Sequence, residues 1–182
     1  MTLADPRPLI YLAGPDVFFP DRAAIFQRLA AACEQHGLRP LPPWDDEAKD
    51  DASRRAEPPG PALARQIYDD NIRRIRSADG VIAHLRPFRG HEPDSGTVFE
   101  LGFALALGKP VVGYGVPPGS VADRVRAAID CVTNEEGQLV ERASGVAVED
   151  FGLALNLMLA CPVPLEATAD AALGRMAQLL RR

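Results

Sequence analysis

The chain has little of the material from which metal and cofactor sites are usually built. Its three cysteines, Cys33, Cys131 and Cys161, are odd in number and widely spaced, which suggests neither a disulfide framework nor a CxxC metal site. Buried, reduced thiols are expected instead. The three histidines, His36, His84 and His91, show no ligand spacing such as HExxH, so no metal is expected. No GxGxxG follows the first apolar run and no GxxxxGK(S/T) occurs anywhere, which removes the dinucleotide and Walker-type phosphate cradles; no cofactor is expected. A formal net charge of −5 opposes a nucleic-acid polymer as partner, because such binding draws its affinity from clustered Lys and Arg. A small, neutral or weakly charged ligand fits better. No apolar run approaches the roughly 18 residues of a membrane span, and Met1–Pro8 lacks the basic and then apolar layout of a signal peptide. A cytoplasmic protein without membrane contact is expected.

What is present is ordinary globular composition, 47% hydrophobic and 25% charged, in 182 residues, enough for one domain over 1–182 with a core that needs no staple. Apolar runs at 8–13, 80–85 and 110–114 read as buried strands, with a weaker one at 38–41. Between them lie helical patterns: one opened by Asp21 and stopped by Gly37, one over about 62–78, and one over 97–107 closed by Gly108. Further helices are expected at about 120–129, 151–160 and 168–180, the last capped by Thr168, while 131–148, with a turn at Asn134–Gly137, reads as a hairpin or an irregular excursion.

Strand and helix in alternation predict an α/β fold: a doubly wound, flavodoxin-like and mostly parallel sheet with helices on both faces. Ligands of such sheets bind beyond the carboxyl ends of the strands, where the strand order reverses. The loops after Ala13, Leu41 and Leu85 are therefore the candidate site, with Gly14 and Phe18 of the first and Gly96 of the third as substrate-binding candidates. The proline-rich and acid-rich stretch 42–61 is too long for a plain connection.

The most informative helix is the one at 97–107, where Glu100 is the only charged side chain. A helix apolar on every side is normally buried on every side, and a carboxylate there needs a partner or a task. Capping is one answer, since Thr97-Val-Phe-Glu100 matches a capping box. Catalysis is the other. Asp94 lies just before the helix, Asp79 just before the strand at 80–85, and Tyr11 two residues before the first loop. Grouped carboxylates suit cleavage of a glycosidic bond: one stabilises or traps the oxocarbenium-like sugar while the other handles the proton of the departing group.

Four segments carry a family resemblance: Tyr11-Leu-Ala-Gly-Pro15, Ser77-Ala-Asp-Gly-Val-Ile82, Pro87-Phe-Arg-Gly-His-Glu-Pro-Asp-Ser-Gly-Thr-Val-Phe-Glu-Leu-Gly102 and Asp150-Phe-Gly-Leu-Ala-Leu-Asn-Leu-Met158. In this order, and over most of the chain, they resemble the nucleoside 2-deoxyribosyltransferases. The resemblance implies that Glu100 attacks C1′ of a 2′-deoxynucleoside, releases the base and leaves a deoxyribosyl-enzyme that a second base captures, a retaining ping-pong transfer used in nucleotide salvage. It implies that Asp94 and Asp79 handle the nucleobase and its proton, that Tyr11 orients the nucleophile and that Asp45 contacts the base. Asn156 is implied to reach the sugar site of a neighbouring subunit, which requires a homo-oligomer, at least a dimer. Arg86 and Arg89, beside the expected cleft, are candidates to meet a phosphate.

Two other functions compete. A hydrolase of the same fold would cleave 2′-deoxynucleoside 5′-monophosphates with water as acceptor, but the first loop, Gly14-Pro-Asp-Val-Phe-Phe19, offers an acid and apolar residues where a phosphate pocket would need hydroxyls and arginines. A non-catalytic sensing or interaction module would have no reason to keep Glu100, Asp94 and Asp79 together.

Overall fold

The computed structural model describes residues 5–44 and 59–181. Five strands form one parallel sheet: β1 (Leu9–Ala13), β2 (Arg39–Leu41), β3 (Gly80–His84), β4 (Val111–Tyr114) and β7 (Leu165–Glu166), in the order β2-β1-β3-β4-β7. The intervening β5 (Cys131–Thr133) and β6 (Leu139–Glu141) form a separate antiparallel hairpin. Its turn is the expected one, with Gly137 at φ 80° and the Asn134 side chain accepting from the N–H groups of Glu136 and Gln138. The helices are α1 (Arg22–Gln35), α2 (Pro61–Ser77), α3 (Ser95–Ala106), α4 (Val121–Ala128), the short α5 (Leu157–Ala160) and α6 (Ala169–Leu180).

Alternation along each strand divides the core into two layers, as the two-residue period of an extended chain requires. Ile10, Leu12, Ile82 and Val112 face α1 and α6, where Leu29, Cys33, Leu173 and Met176 complete one layer. Tyr11, Ala13, Val81 and Ala83 face the other way, against Ile75 of α2, Leu101 and Ala104 of α3 and Leu159 of α5. Both faces are covered, so the doubly wound, flavodoxin-like arrangement expected from the sequence is the one observed. Tyr11 thereby points toward α3. From β1 the chain passes outward to β2 and then crosses to β3 on the other side, so the strand order reverses between β1 and β3.

The structure departs from the sequence reading at four points. Residues 151–156 are not helical: Gly152 takes φ 68°, Leu153 accepts from Val121 N–H, and Asn156 caps only the short α5 by accepting from Met158 N–H. Strand β7 has two residues, too few for any periodicity to announce it. Helix α3, apolar all round, is not buried all round: Phe99 and Leu107 stay 51% and 38% exposed. Asp21 stands at the start of α1, yet its side chain makes no capping bond. Among the described residues no helix is long and apolar enough to cross a membrane.

One pair, a buried aspartate and a half-buried histidine, holds the reversal point together. Asp16, in the short 3₁₀ turn Pro15–Phe18 after β1, is 3% exposed, and His84 at the end of β3 donates from Nδ1 to both its oxygens at 2.9 and 3.0 Å. The imidazole stacks on Tyr114 at 4.7 Å. Gly14 and Gly115 leave the room: a Cβ on Gly14 would lie 2.8 Å from Asp16 Oδ2, and one on Gly115, at φ 77°, would lie 2.5 Å from the His84 ring. Removing one member of a buried pair strands the other's charge. His84→Ala is therefore expected to destabilise the protein by about 3 kcal/mol or more, read as a lower urea midpoint with an unchanged slope.

Candidate active site

Helix α3 begins one turn earlier than the capping-box reading assumes. Asp94 is its N-cap, accepting at Oδ2 from Thr97 N–H at 2.9 Å and from the Thr97 hydroxyl at 3.0 Å. Thr97 is thus the third helical residue, and Glu100 lies well inside the helix with no free N–H group behind it to cap. The capping explanation of Glu100 falls.

The Glu100 carboxylate turns toward the sheet. Its Oε1 accepts from the Tyr11 hydroxyl at 2.7 Å and from the Asn71 amide at 3.2 Å. Burial pushes its pKa from an ordinary 4.5 up to about 7; the Tyr11 hydrogen bond pulls down, the neighbouring Asp94 charge pushes up, and the Asn71 bond pulls down. Burial first, and then the Glu100 charge and hydrogen bond, hold the Tyr11 phenol well above its usual range, so it stays a donor. Each of the two carboxylates is tied by one oxygen only. Glu100 Oε2 and Asp94 Oδ1 carry no hydrogen bond among the described residues.

Both carboxylates open onto a cleft of about 900 Å³ at the carboxyl ends of the strands. The three loops expected from the sequence all reach it: Gly14 and Phe18 from the first, Trp44 from the second, Asp94 and Gly96 from the third. Its walls are largely apolar and aromatic. Trp44 packs edge-on against Phe26 at 4.3 Å, and Phe18 stacks on Phe88 at 5.3 Å while remaining 57% exposed. Such a cleft suits a flat, weakly polar ring presented to a few directed polar groups.

Not every expected residue arrives. Asp79 is at the amino end of β3, roughly 15 Å along the strand from the cleft, and its carboxylate accepts from Leu9 N–H at 2.7 Å. It pins the start of β1, and its expected role in proton handling is corrected accordingly. Arg86 and Arg89 do not line the cleft either: Arg86 lies over the Phe19 ring, and Arg89, at φ 54°, lies over Phe18 and Phe88. Among the described residues, Arg22 is the basic residue that does. Asn156 borders a second, smaller groove of about 440 Å³ with Arg89, His91 and Glu149. Asp45 lies outside the described residues. Among the described residues no three His, Cys, Asp or Glu side chains are grouped as a metal site would need.

Two cleft residues escape a reading of the sequence. Trp44 stands beside the expected Asp45 but carries no motif of its own. Asn71 had a signal: Leu63, Ile67, Asn71 and Ile75 recur every four residues along α2, so one amide interrupts an apolar stripe that runs from the cleft wall at Leu63 and Ile67 to the core at Ile75.

Comparison with known proteins identifies the family and the fold. The family model described as Nucleoside 2-deoxyribosyltransferase matches residues 10–158. A 2-desoxiribosyltransferase from Leishmania mexicana is similar in structure, with a TM-score of 0.72 and 32% identity over 94% of this chain and 97% of that one. An uncharacterized protein of Schizosaccharomyces pombe is 29% identical over 162 residues, 83% of this chain and 74% of its own length.

Proposed function

The chain belongs to the nucleoside 2-deoxyribosyltransferase family, and on that premise we propose that it transfers the 2-deoxyribosyl group between nucleobases through a covalent bond to Glu100. The observation that carries this reading is the pair of half-tied carboxylates on one aromatic cleft. In the first half-reaction Glu100 attacks C1′, the C1′–N bond breaks, its electron pair leaves with the base, and the Asp94 carboxyl delivers the proton the base needs. The second base enters the emptied space, gives its proton to Asp94 and attacks C1′, so that the Glu100–sugar bond breaks and the configuration is retained. On this reading the two carboxyls together hold one proton and one negative charge; burial is what chiefly raises the Glu100 pKa, and the Asp94 charge adds to it.

The substrates are then a 2′-deoxynucleoside and a free base, and the cellular setting is cytoplasmic salvage. A homo-oligomer is part of the reading. The outward face of α3 stays apolar, with Phe99 near Tyr68 of α2 and stacked over Phe103, a surface of the kind a second copy covers. On this reading Asn156 serves a neighbour's site, which its position outside its own chain's cleft, next to a Met158 that is 73% exposed, supports.

Deoxyadenosine supplied with a different free base is expected to yield the second base's deoxynucleoside, with parallel double-reciprocal lines. Supplied alone, it is expected to leave a deoxyribosyl adduct on the peptide containing Glu100. Free sugar as the sole product, with no new deoxynucleoside, would overturn transfer in favour of hydrolysis.

A further inference from the structure

Two donors from different elements, Tyr11 on β1 and Asn71 on α2, converge on the same oxygen of Glu100. Asn71 lines the cleft, and the other end of its amide, Oδ1, is buried with no hydrogen-bond partner among the described residues. A leucine in the stripe Leu63–Ile67–Ile75 would pack there without an unpaired acceptor, so folding alone gives no reason for an amide. Its one bond points at the nucleophile.

We propose that Asn71 is a positioning residue for the transfer: its N–H and the Tyr11 hydroxyl tie down Oε1 of Glu100, and Oε2 is the oxygen that bonds C1′. This rests on Glu100 as the nucleophile. A carboxylate held at one oxygen cannot rotate about its terminal torsion, and its free oxygen is presented to the sugar in one orientation. When Oε2 bonds carbon, Oε1 becomes the ester carbonyl, still bonded to both donors. When the second base breaks the Oε2–C1′ bond, those donors receive the returning negative charge. They also favour the ionised form of Glu100 before attack, against Asp94 on α3, which opposes it. Arg74, the charged neighbour on α2, acts on Tyr11.

The test compares Asn71→Leu, Asn71→Ala and the near-isosteric Asn71→Asp with the parent protein, by melting temperature and by kcat/KM for base exchange against pH. Glu100→Gln serves as control. Loss of the donor is expected to lower kcat about 10- to 100-fold with little change in KM. It is also expected to move the acid limb of the profile upward, by about one pH unit or more in Asn71→Asp, where a like charge replaces the amide. Asn71→Leu is expected to melt no lower than the parent. A folded Asn71→Asp protein with the parent's profile and rate overturns the proposal, and so does a rate loss in Asn71→Leu or Asn71→Ala that only follows a fall in melting temperature. If Glu100→Gln is inactive in that case, the nucleophile stands and only the positioning role fails. Exchange by Glu100→Gln would remove the nucleophile itself.

Discussion

Glu100→Gln is expected to lose base exchange on the order of 10⁴-fold or more while making the folded protein more resistant to heat above neutral pH. The rate falls because an amide oxygen is too poor a nucleophile to trap the sugar. The stability rises for the same reason that the native residue is reactive. Burial holds the Glu100 pKa at about 7 against an ordinary 4.5, so folding penalises the carboxylate form. The sign follows from proton counting. Between pH 4.5 and 7 the unfolded chain has released this proton and the folded chain retains it, so stability falls as pH rises through that window and the loss is complete above about 7. A neutral glutamine carries no such penalty and can still accept from Tyr11 and Asn71. At pH 8 the variant gains up to about 3 kcal/mol, a rise in Tm of several degrees; near pH 4.5 the two proteins should melt alike. Melting curves from pH 4.5 to 8 check this directly. A variant that melts earlier at every pH would mean that the carboxylate serves the fold.

That opposition between activity and stability is partly legible in the sequence. A lone charge in an eleven-residue apolar helix is a local contradiction, and such contradictions gather where function overrides packing. The helix's own starting point is harder to read, because Asp94-Ser-Gly-Thr97 and Thr97-Val-Phe-Glu100 each offer a start. The first prevails since Asp94 satisfies both the N–H and the hydroxyl of Thr97, while Glu100 is drawn across the sheet to Tyr11. Sequence order also does not say which end of a strand a flanking residue occupies in space. Asp79 precedes β3 and so falls on the edge opposite the cleft, whereas Asp94, beyond the carboxyl end of the same strand, reaches it. Asn71 is masked for another reason: Asp69, Asp70, Arg73 and Arg74 surround it, and an amide among four charges looks like solvated surface until α2 is seen to turn it inward.

Asp94 is the residue in which the structural and chemical roles coincide, and two substitutions separate them. Asp94→Ala removes the cap and the carboxyl together, and is expected to cost about 1 kcal/mol of stability along with a rate loss of about 10²- to 10⁴-fold. Asp94→Asn keeps an oxygen for the Thr97 N–H and hydroxyl, so the helix start should survive and the melting temperature should stay close to that of the parent. What it loses is the proton. Its rate deficit should therefore depend on the departing base: large for bases that leave poorly as anions, and shrinking steadily for deoxynucleosides of more acidic bases, which need less help. Removing the Asp94 charge also relieves the repulsion that raises the Glu100 pKa, so the acid limb of kcat/KM should move to lower pH, opposite in sign to the shift expected from losing the Asn71 donor. Single-turnover base release, measured across a series of leaving bases and from pH 5 to 9, reads both effects at once. An Asp94→Asn protein equally slow with every base would assign Asp94 to holding α3 and the cleft in shape, and would leave the proton to another group.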